Sequence, residues 1–144
     1  MRSDSAPQDP RLQRALARLS ALVDWERSDR RADMGRTLEP VLDLLERLGD
    51  PHRAWRSVHV AGTKGKSTTA SFIAAGLSRA GLRTGAYSSP HVERLVERVR
   101  IDGAPIDEAA LAEGLERALA AREAAGSESP SARSTYFDVL TAGA

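Results

Sequence analysis

The sequence predicts an α/β fold, a parallel sheet flanked by helices and opening on a phosphate-binding loop. Three observations carry this. Helical apolar stripes alternate with short β-like runs, which implies a parallel sheet covered on both faces. A run at residues 58–61 leads into a glycine loop and then a helical stripe, the order that a phosphate loop needs. At most three strands can be found in the 144 residues, against about five or six in an ordinary sheet. The chain therefore reads as the first, incomplete portion of a larger α/β domain, the alternative being a small three-stranded domain that buries less of its surface.

Taken in order, residues 1–10 hold Ser, Asp, Gln and two Pro, and read as a disordered lead-in. Leu12, Leu16, Leu19, Leu22 and Val23 form the first helical stripe, and Leu38, Val41, Leu42, Leu44, Leu45 and Leu48 the second. Gly49-Asp50-Pro51 stops that helix. Val58, Val60 and Ala61 make the β-like run before Gly62-Thr63-Lys64-Gly65-Lys66-Ser67-Thr68-Thr69. Phe72, Ile73, Leu77 and Ala80 then lie on a helix closed by Gly81. Residues 83–87 read as a second strand, and Ser88-Ser89-Pro90-His91 as a turn-prone loop. Residues 96–101 alternate apolar and charged side chains, as a half-exposed strand does, with Asp102-Gly103 as its turn. Residues 107–124 are a helix with Ile106, Leu111, Leu115 and Leu119 inward, residues 126–134 a polar loop, and residues 135–144 the opening of a further helix.

Composition narrows the chemistry. The absence of Cys excludes disulfides, Cys-ligated zinc and thiol nucleophiles. With 21 basic against 20 acidic residues, evenly mixed, nothing resembles a nucleic-acid footprint. No apolar run approaches the roughly 18 residues of a membrane span, and Met1 to Pro10 is too polar for a signal-peptide core, so a cytoplasmic protein is expected. The only lysines are Lys64 and Lys66, in a chain that otherwise uses Arg. A GC-rich genome explains the Arg bias; the paired lysines still mark where to look.

Glycines in such a loop let the backbone turn its N–H groups onto a phosphate, while the next helix aims its positive end at the same anion. Lys66 is a compact charge that can reach the β- and γ-phosphates, and the adjacent hydroxyl can bind Mg²⁺. Arg, with a wider fork, fits such a loop less well. The full G-x-x-x-x-G-K-[ST] pattern would need Gly where Val60 stands. The bland reading is a glycine turn at a helix start; the strand-loop-helix context favours phosphate. Lys64 faces either phosphate or solvent.

His59-Val60-Ala61-Gly62-Thr63-Lys64-Gly65-Lys66, Tyr87-Ser88-Ser89-Pro90-His91, Glu97-Arg98-Val99-Arg100 and Thr135-Tyr136-Phe137-Asp138 resemble, in order and spacing, the dihydrofolate synthase/folylpolyglutamate synthase family of Mur-type ligases. Leu48-Gly49-Asp50-Pro51-His52 is similar to that family too, so the resemblance runs from about residue 38 onward. It implies a Mur-ligase-like ATP-binding domain over residues 11–144. It also implies use of ATP and Mg²⁺ to phosphorylate a substrate carboxylate, and attack of glutamate's amine on the acyl phosphate. The product would be dihydropteroate or tetrahydrofolate extended by L-glutamate.

Carried over residue by residue, the resemblance places ATP at Gly62, Thr63, Lys64, Gly65, Lys66, Ser67 and Thr68. It places Mg²⁺ at Ser89 and at Ser67 or Thr68, and pteroate or folate at Ser89, Pro90, His91, Thr135 and Phe137. The family usually has Asn at the position of Lys64, Gly at that of Ser67 and Glu at that of Asp138. Gly65-Lys66-Ser67 is closer to the peptidoglycan branch, which keeps a peptidoglycan-type amino-acid ligase open. The family's second acidic motif, metal-binding His, modified lysine and C-terminal domain are not in these residues. The expectation is an N-terminal fragment, catalytically incomplete alone; a non-catalytic nucleotide-binding module is the other class of reading.

Each site residue also has a duller reading. Ser89-Pro90 is a turn, His91 a solvated loop histidine, and His59 a strand-end residue. Thr135 with Asp138 has capping-box spacing, and Tyr136 and Phe137 are core residues. Arg94, Arg98 and Arg100 form a solvated face, from which Arg98 could meet an anionic substrate.

Overall fold

The computed structural model describes residues 7–22 and 37–144. Residues 1–6 of the expected lead-in and Val23 of the first stripe lie outside the described residues. The chain divides into two compact units, one holding Arg56–Glu108 and the other Gln8–Trp55 with Ala109–Ala144.

The second unit is helical. Helix α1 (Pro10–Ser20) starts inside the expected lead-in, because Asp9 caps it by accepting the Arg11 N–H at 2.6 Å and Pro10 sits at its first turn, where a missing N–H costs nothing. It buries Leu12, Ala15 and Leu19, the helical spacing read in the sequence. Helix α2 (Glu39–Arg47) buries Leu44. It ends as Gly49-Asp50-Pro51 predicts: Gly49 and Asp50 take positive φ, the Gly49 N–H donates to Glu46 O and the Asp50 N–H to Leu45 O, satisfying the last-turn carbonyls. Helix α4 (Glu108–Glu123), which begins on the last residue of the first unit, buries Leu111, Ala112, Leu115, Ala118 and Leu119. Helix α5 (Tyr136–Ala142) adds Val139 and Leu140. Arg11 pairs with Glu116 and Arg18 with Glu123, so α1 and α4 run side by side in the same direction.

The polar stretch at 126–134 is packed rather than solvated. Its 3-10 turn, Pro130–Arg133, lies on α2, and the Asp43 carboxylate accepts from Ser129 Oγ at 2.5 Å, from the Ser131 N–H at 3.0 Å and from Arg47 at 3.2 Å. The Arg122 guanidinium donates to the Ser134 and Ala132 carbonyls, and Ser134 Oγ to Pro40 O. Ser131 and Ser134 are buried because these partners replace water.

The first unit holds helix α3 (Lys66–Arg79) and strands β1 (Gly85–Tyr87), β2 (Val99–Ile101) and β3 (Ala104–Pro105). The α/β class holds, but two details differ from expectation. The described strands form an antiparallel sheet in the order β1-β2-β3, not a parallel one. Asp102 and Gly103 both take positive φ in the two-residue turn from β2 to β3, the turn chemistry of a hairpin. Parallel neighbours would need a crossover of a dozen or more residues, usually a helix, and none separates these strands. Residues 58–61 also do not form a strand: no described strand lies beside them to complete a backbone ladder, and Val58 is exposed.

The expected strand at 96–101 is halved. Leu95–Arg98 is a 3-10 turn, and only Val99–Ile101 is extended. Helix α3 ends at Gly81 as expected, with the Leu82 N–H on Leu77 O and the Gly81 N–H on Ser78 O.

Candidate functional site

The glycine loop delivers α3 with a bare N-terminus. Gly65, its N-cap, has φ +74°, and Gly62 has φ +153°, conformations that glycine adopts without a Cβ penalty. No side chain caps the first turn, so the leading N–H groups of α3 are directed at whatever approaches along its axis. Lys66, first residue of the helix, folds back and donates from Nζ to Gly62 O at 2.7 Å, tying its ammonium to the loop. Residues 61–69 are all exposed, which leaves room for a ligand of substantial size. This is the chemistry of an anion cradle: N–H donors, a helix dipole and one cation. Lys64 is exposed.

Ser67 and Thr68 follow in the first turn, both exposed. Their hydroxyls, with that of Ser89, are the hard oxygen donors that suit Mg²⁺. Among the described residues no group of three or more His, Asp or Glu side chains could hold a metal ion. A metal here would therefore lean on hydroxyls, water and the ligand's own phosphate oxygens.

Strand β1, extended only over Gly85–Tyr87, packs on α3 and leads into Ser88, Ser89, Pro90 and His91; the Ser89–Pro90 peptide is cis.

That loop is held by the 3-10 turn after it. The Glu97 carboxylate accepts the N–H groups of Val92 at 3.1 Å, Glu93 at 3.4 Å and Arg94 at 3.0 Å. The Val92 N–H first, then the Arg94 and Glu93 N–H groups and His91, hold its carboxyl below the usual range against the opposing effect of burial. Arg98 is 3% exposed and donates from Nε to His91 Nδ1 at 2.9 Å, while its carbonyl accepts the Ser88 N–H. Arg98 is thus not on the solvated face expected of it: alternation misplaces it because a 3-10 turn, not a strand, carries residues 95–98. His91 is likewise no solvated loop histidine, being half-buried against that guanidinium. Arg94 pairs with Glu108, and Arg100 donates to Gly103 O.

Thr135 and Phe137 stand in the other unit, at the start of α5. Thr135 and Asp138 form the capping box that their spacing suggests: the Thr135 N–H and Oγ1–H donate to Asp138 Oδ2 at 2.8 Å each, and the Asp138 N–H returns to Thr135 Oγ1. Phe137 is half-buried, and His59 is exposed. Among the described residues no helix is long and apolar enough to cross a membrane.

No known protein-family model matches the chain. Folylpolyglutamate synthase of Lacticaseibacillus casei is 39% identical over 102 residues, 71% of this chain and 24% of that relative. A solved folylpolyglutamate synthase complex with AMPPCP and folate superposes with a TM-score of 0.76 at 32% identity, over 92% of this chain and 30% of that one. A bifunctional folylpolyglutamate synthase/dihydrofolate synthase with Mn, AMPPNP and L-glutamate bound gives 0.72 at 35% identity, over 98% and 30%. The chain thus spans about a quarter to a third of the length of these relatives. In sequence and in fold it matches the N-terminal portion of the dihydrofolate synthase/folylpolyglutamate synthase family, with its Mur-ligase-like domain.

Proposed function

We propose that this chain supplies the ATP-phosphate site and a substrate-contacting loop of an ATP-dependent ligase that joins L-glutamate to dihydropteroate or a tetrahydrofolate. The observation that carries the reading is the uncapped α3 N-terminus behind Gly62 and Gly65, with Lys66 folded over it. It occurs in a chain whose solved relatives bind ATP analogues, folate and glutamate. Because the match covers 24% of such a relative, the reading assigns residues 11–144 to part of the ATP-binding domain and gives them no complete reaction.

A carboxylate is a poor electrophile, and transfer of the γ-phosphoryl group makes one of its oxygens a leaving group. Glutamate's amine then attacks the acyl carbon and phosphate departs. The protein's task is positioning and charge stabilisation. The N–H groups of residues 65–68 and the Lys66 ammonium hold the β- and γ-phosphates, with Gly62 and Thr63 shaping the loop and Lys64 beside it. Ser67 or Thr68, with Ser89, would hold Mg²⁺, which when bound neutralises phosphate charge. Ser89, Pro90 and His91 meet the pterin-bearing substrate. The site is assigned to the cytoplasm, where its nucleotide and folate are found.

Calorimetric titration with Mg-AMPPNP tests this. Weak, saturable binding is expected, lost in Lys66→Ala; binding that survives the substitution, or none in the folded wild type, refutes it. Gly65-Lys66-Ser67 favours a second reading, a peptidoglycan-type amino-acid ligase. Binding of a UDP-sugar substrate but not of pteroate selects that one, and Mg-AMPPNP binding with neither leaves a nucleotide-binding module.

A further inference from the structure

We propose that Glu97 is a positioning residue: its carboxylate, gathering the N–H groups of three consecutive residues, sets the shape of the 88–94 loop, so that Ser89, Pro90 and His91 are held in place before the pterin-bearing substrate arrives. The proposal deepens the reading above, on which it rests for assigning that loop to the substrate.

A helix cap alone does not account for these contacts. Glu97 is the third residue of the 3-10 turn Leu95–Arg98, and a capping box explains the 3.0 Å bond that it accepts from the Arg94 N–H, that of the N-cap itself. Asp138, at the same position of α5, likewise accepts the N–H of its N-cap, Thr135. Glu97 reaches further, because Oε2 also accepts the Val92 N–H at 3.1 Å and the Glu93 N–H at 3.4 Å, from residues outside the turn. Residues 91–94 belong to no helix or strand that could take up these groups. An ionised carboxylate, with two oxygens and about four acceptor positions, can collect all three donors at once, and each bond gains from its charge. Glu97 is itself anchored: its N–H donates to Arg94 O, and Val96 and Arg98 on either side of it are buried. The other end of the loop is closed by the Ser88 N–H on Arg98 O at 2.9 Å. Ser89, Pro90 and His91 thus lie between two ties that both lead to residues 97 and 98. Ordering a loop on binding costs conformational entropy and weakens the complex, and a loop already closed by Glu97 spares its ligand that loss.

The test compares the wild-type chain with Glu97→Ala and Glu97→Gln by amide hydrogen exchange and by titration with pteroate, both followed by NMR. In Glu97→Ala the amides of Val92, Glu93 and Arg94 are expected to exchange about tenfold faster, the worth of one hydrogen bond to a charged group, while those of α4 and β2 keep the wild-type rate. Glu97→Gln keeps the reach and one acceptor oxygen; it is expected to fall between, and it carries the test if the Ala variant unfolds. Unchanged exchange at residues 92–94 in the variants overturns the proposal. Pteroate, read on the amides of residues 88–94, is expected to bind about tenfold more weakly to Glu97→Ala than to the wild type, with Glu97→Gln intermediate. AMPPNP without metal is expected to bind all three proteins alike; the metal is left out because Ser89 of the same loop is assigned to it. Equal pteroate affinity in the three proteins overturns the proposal and leaves the substrate reading standing. An AMPPNP affinity that falls in step with that for pteroate overturns it too, since the loss is then a general loosening. A wild type whose 88–94 amides ignore pteroate strikes the substrate reading itself, and the proposal with it.

Discussion

Replacing Gly114 by Ala sets two well-known effects against each other. Gly114 lies inside α4, and Gly143 caps α5, and the two helices meet there backbone to backbone. A Cβ on Gly114 would stand 2.0 Å from Gly143 O and 3.1 Å from its carbonyl carbon. Reaching even 3.0 Å, the lower limit of real Cβ contacts, requires one backbone to retreat by about 1 Å. Helix propensity alone favours Ala by about 1 kcal/mol, while overpacking that forces backbone shifts costs about 1–3 kcal/mol. The clash is with backbone, not with a flexible side-chain end, so the cost falls in the upper part of that range and the net is a loss of about 1–2 kcal/mol. A melting temperature lower by several degrees follows for a chain of this size. Gly76→Ala is the control, since Gly76 lies inside α3 with nothing within 4 Å of its would-be Cβ. It is expected to gain up to about 1 kcal/mol. Thermal and urea unfolding followed by circular dichroism read both variants. If Gly114→Ala melts at or above the wild type, the close α4–α5 approach is not there and the reasoning fails.

Other perturbations separate the roles of individual residues. Ser129 Oγ, then Ser131 and Arg47, hold the Asp43 carboxyl well below its ordinary range against the effect of burial. A depressed folded-state pKa gives stability that is complete above the unfolded value, about 3.9, and is lost as pH falls toward the folded one. Asp43→Asn should therefore flatten the acid limb of a stability–pH curve, and an unchanged limb would exclude this role. Gly65→Ala places a side chain at φ +74°, costing about 1–2 kcal/mol; a weaker affinity for Mg-AMPPNP should accompany it, read by calorimetry. Leu115→Ala, fully buried in α4, should cost about 2–5 kcal/mol. Phe72→Ala, 74% exposed on α3, should cost well under 1 kcal/mol, and urea unfolding of the pair would expose any error in the burial assigned to either.

Local signals were legible in the sequence wherever one residue type has one job. Gly49, Gly81 and Asp102-Gly103 mark stops and a turn because positive φ selects them, and the structure puts positive φ at all four. Leu111, Leu115 and Leu119 are buried as their spacing says, since a helix repeats its own face regardless of context. The Thr135–Asp138 box closes for the same local reason. Pairing between strands was not legible, because β1, β2 and β3 could be ordered only by their connections and a strand without a partner has no periodic mark. Residues 58–61 show this: apolar and β-branched, they still lack a ladder among the described residues. At the site, Lys66 and the glycines were legible from chemistry and spacing. Arg98 was not, since a 3-10 turn breaks the alternation and buries Arg98 beside Val99, neighbours that a continuous strand would turn to opposite faces. The signal that could have found it was a Glu-Arg pair just beyond a Ser-Pro-His loop, two side chains long enough to reach back over it.

The two units divide stability from chemistry. The helical unit draws its core from Leu12, Leu19, Leu44, Leu111, Leu115, Leu119, Val139 and Leu140, all nearly inaccessible to water. The unit with the phosphate loop buries no residue of α3 and keeps residues 61–69 in solvent. Segments with few buried apolar contacts open at low free-energy cost, and ligand-binding loops are drawn from that end of the stability range. Ligand bound to the ordered state alone stabilises it in proportion to the logarithm of its concentration over Kd. Nucleotide should therefore protect the amides of α3 and its loop from hydrogen exchange well before it changes those of α4, and the Glu97-Arg98 clamp is the feature that lets the neighbouring 88–94 loop hold its shape before any ligand arrives.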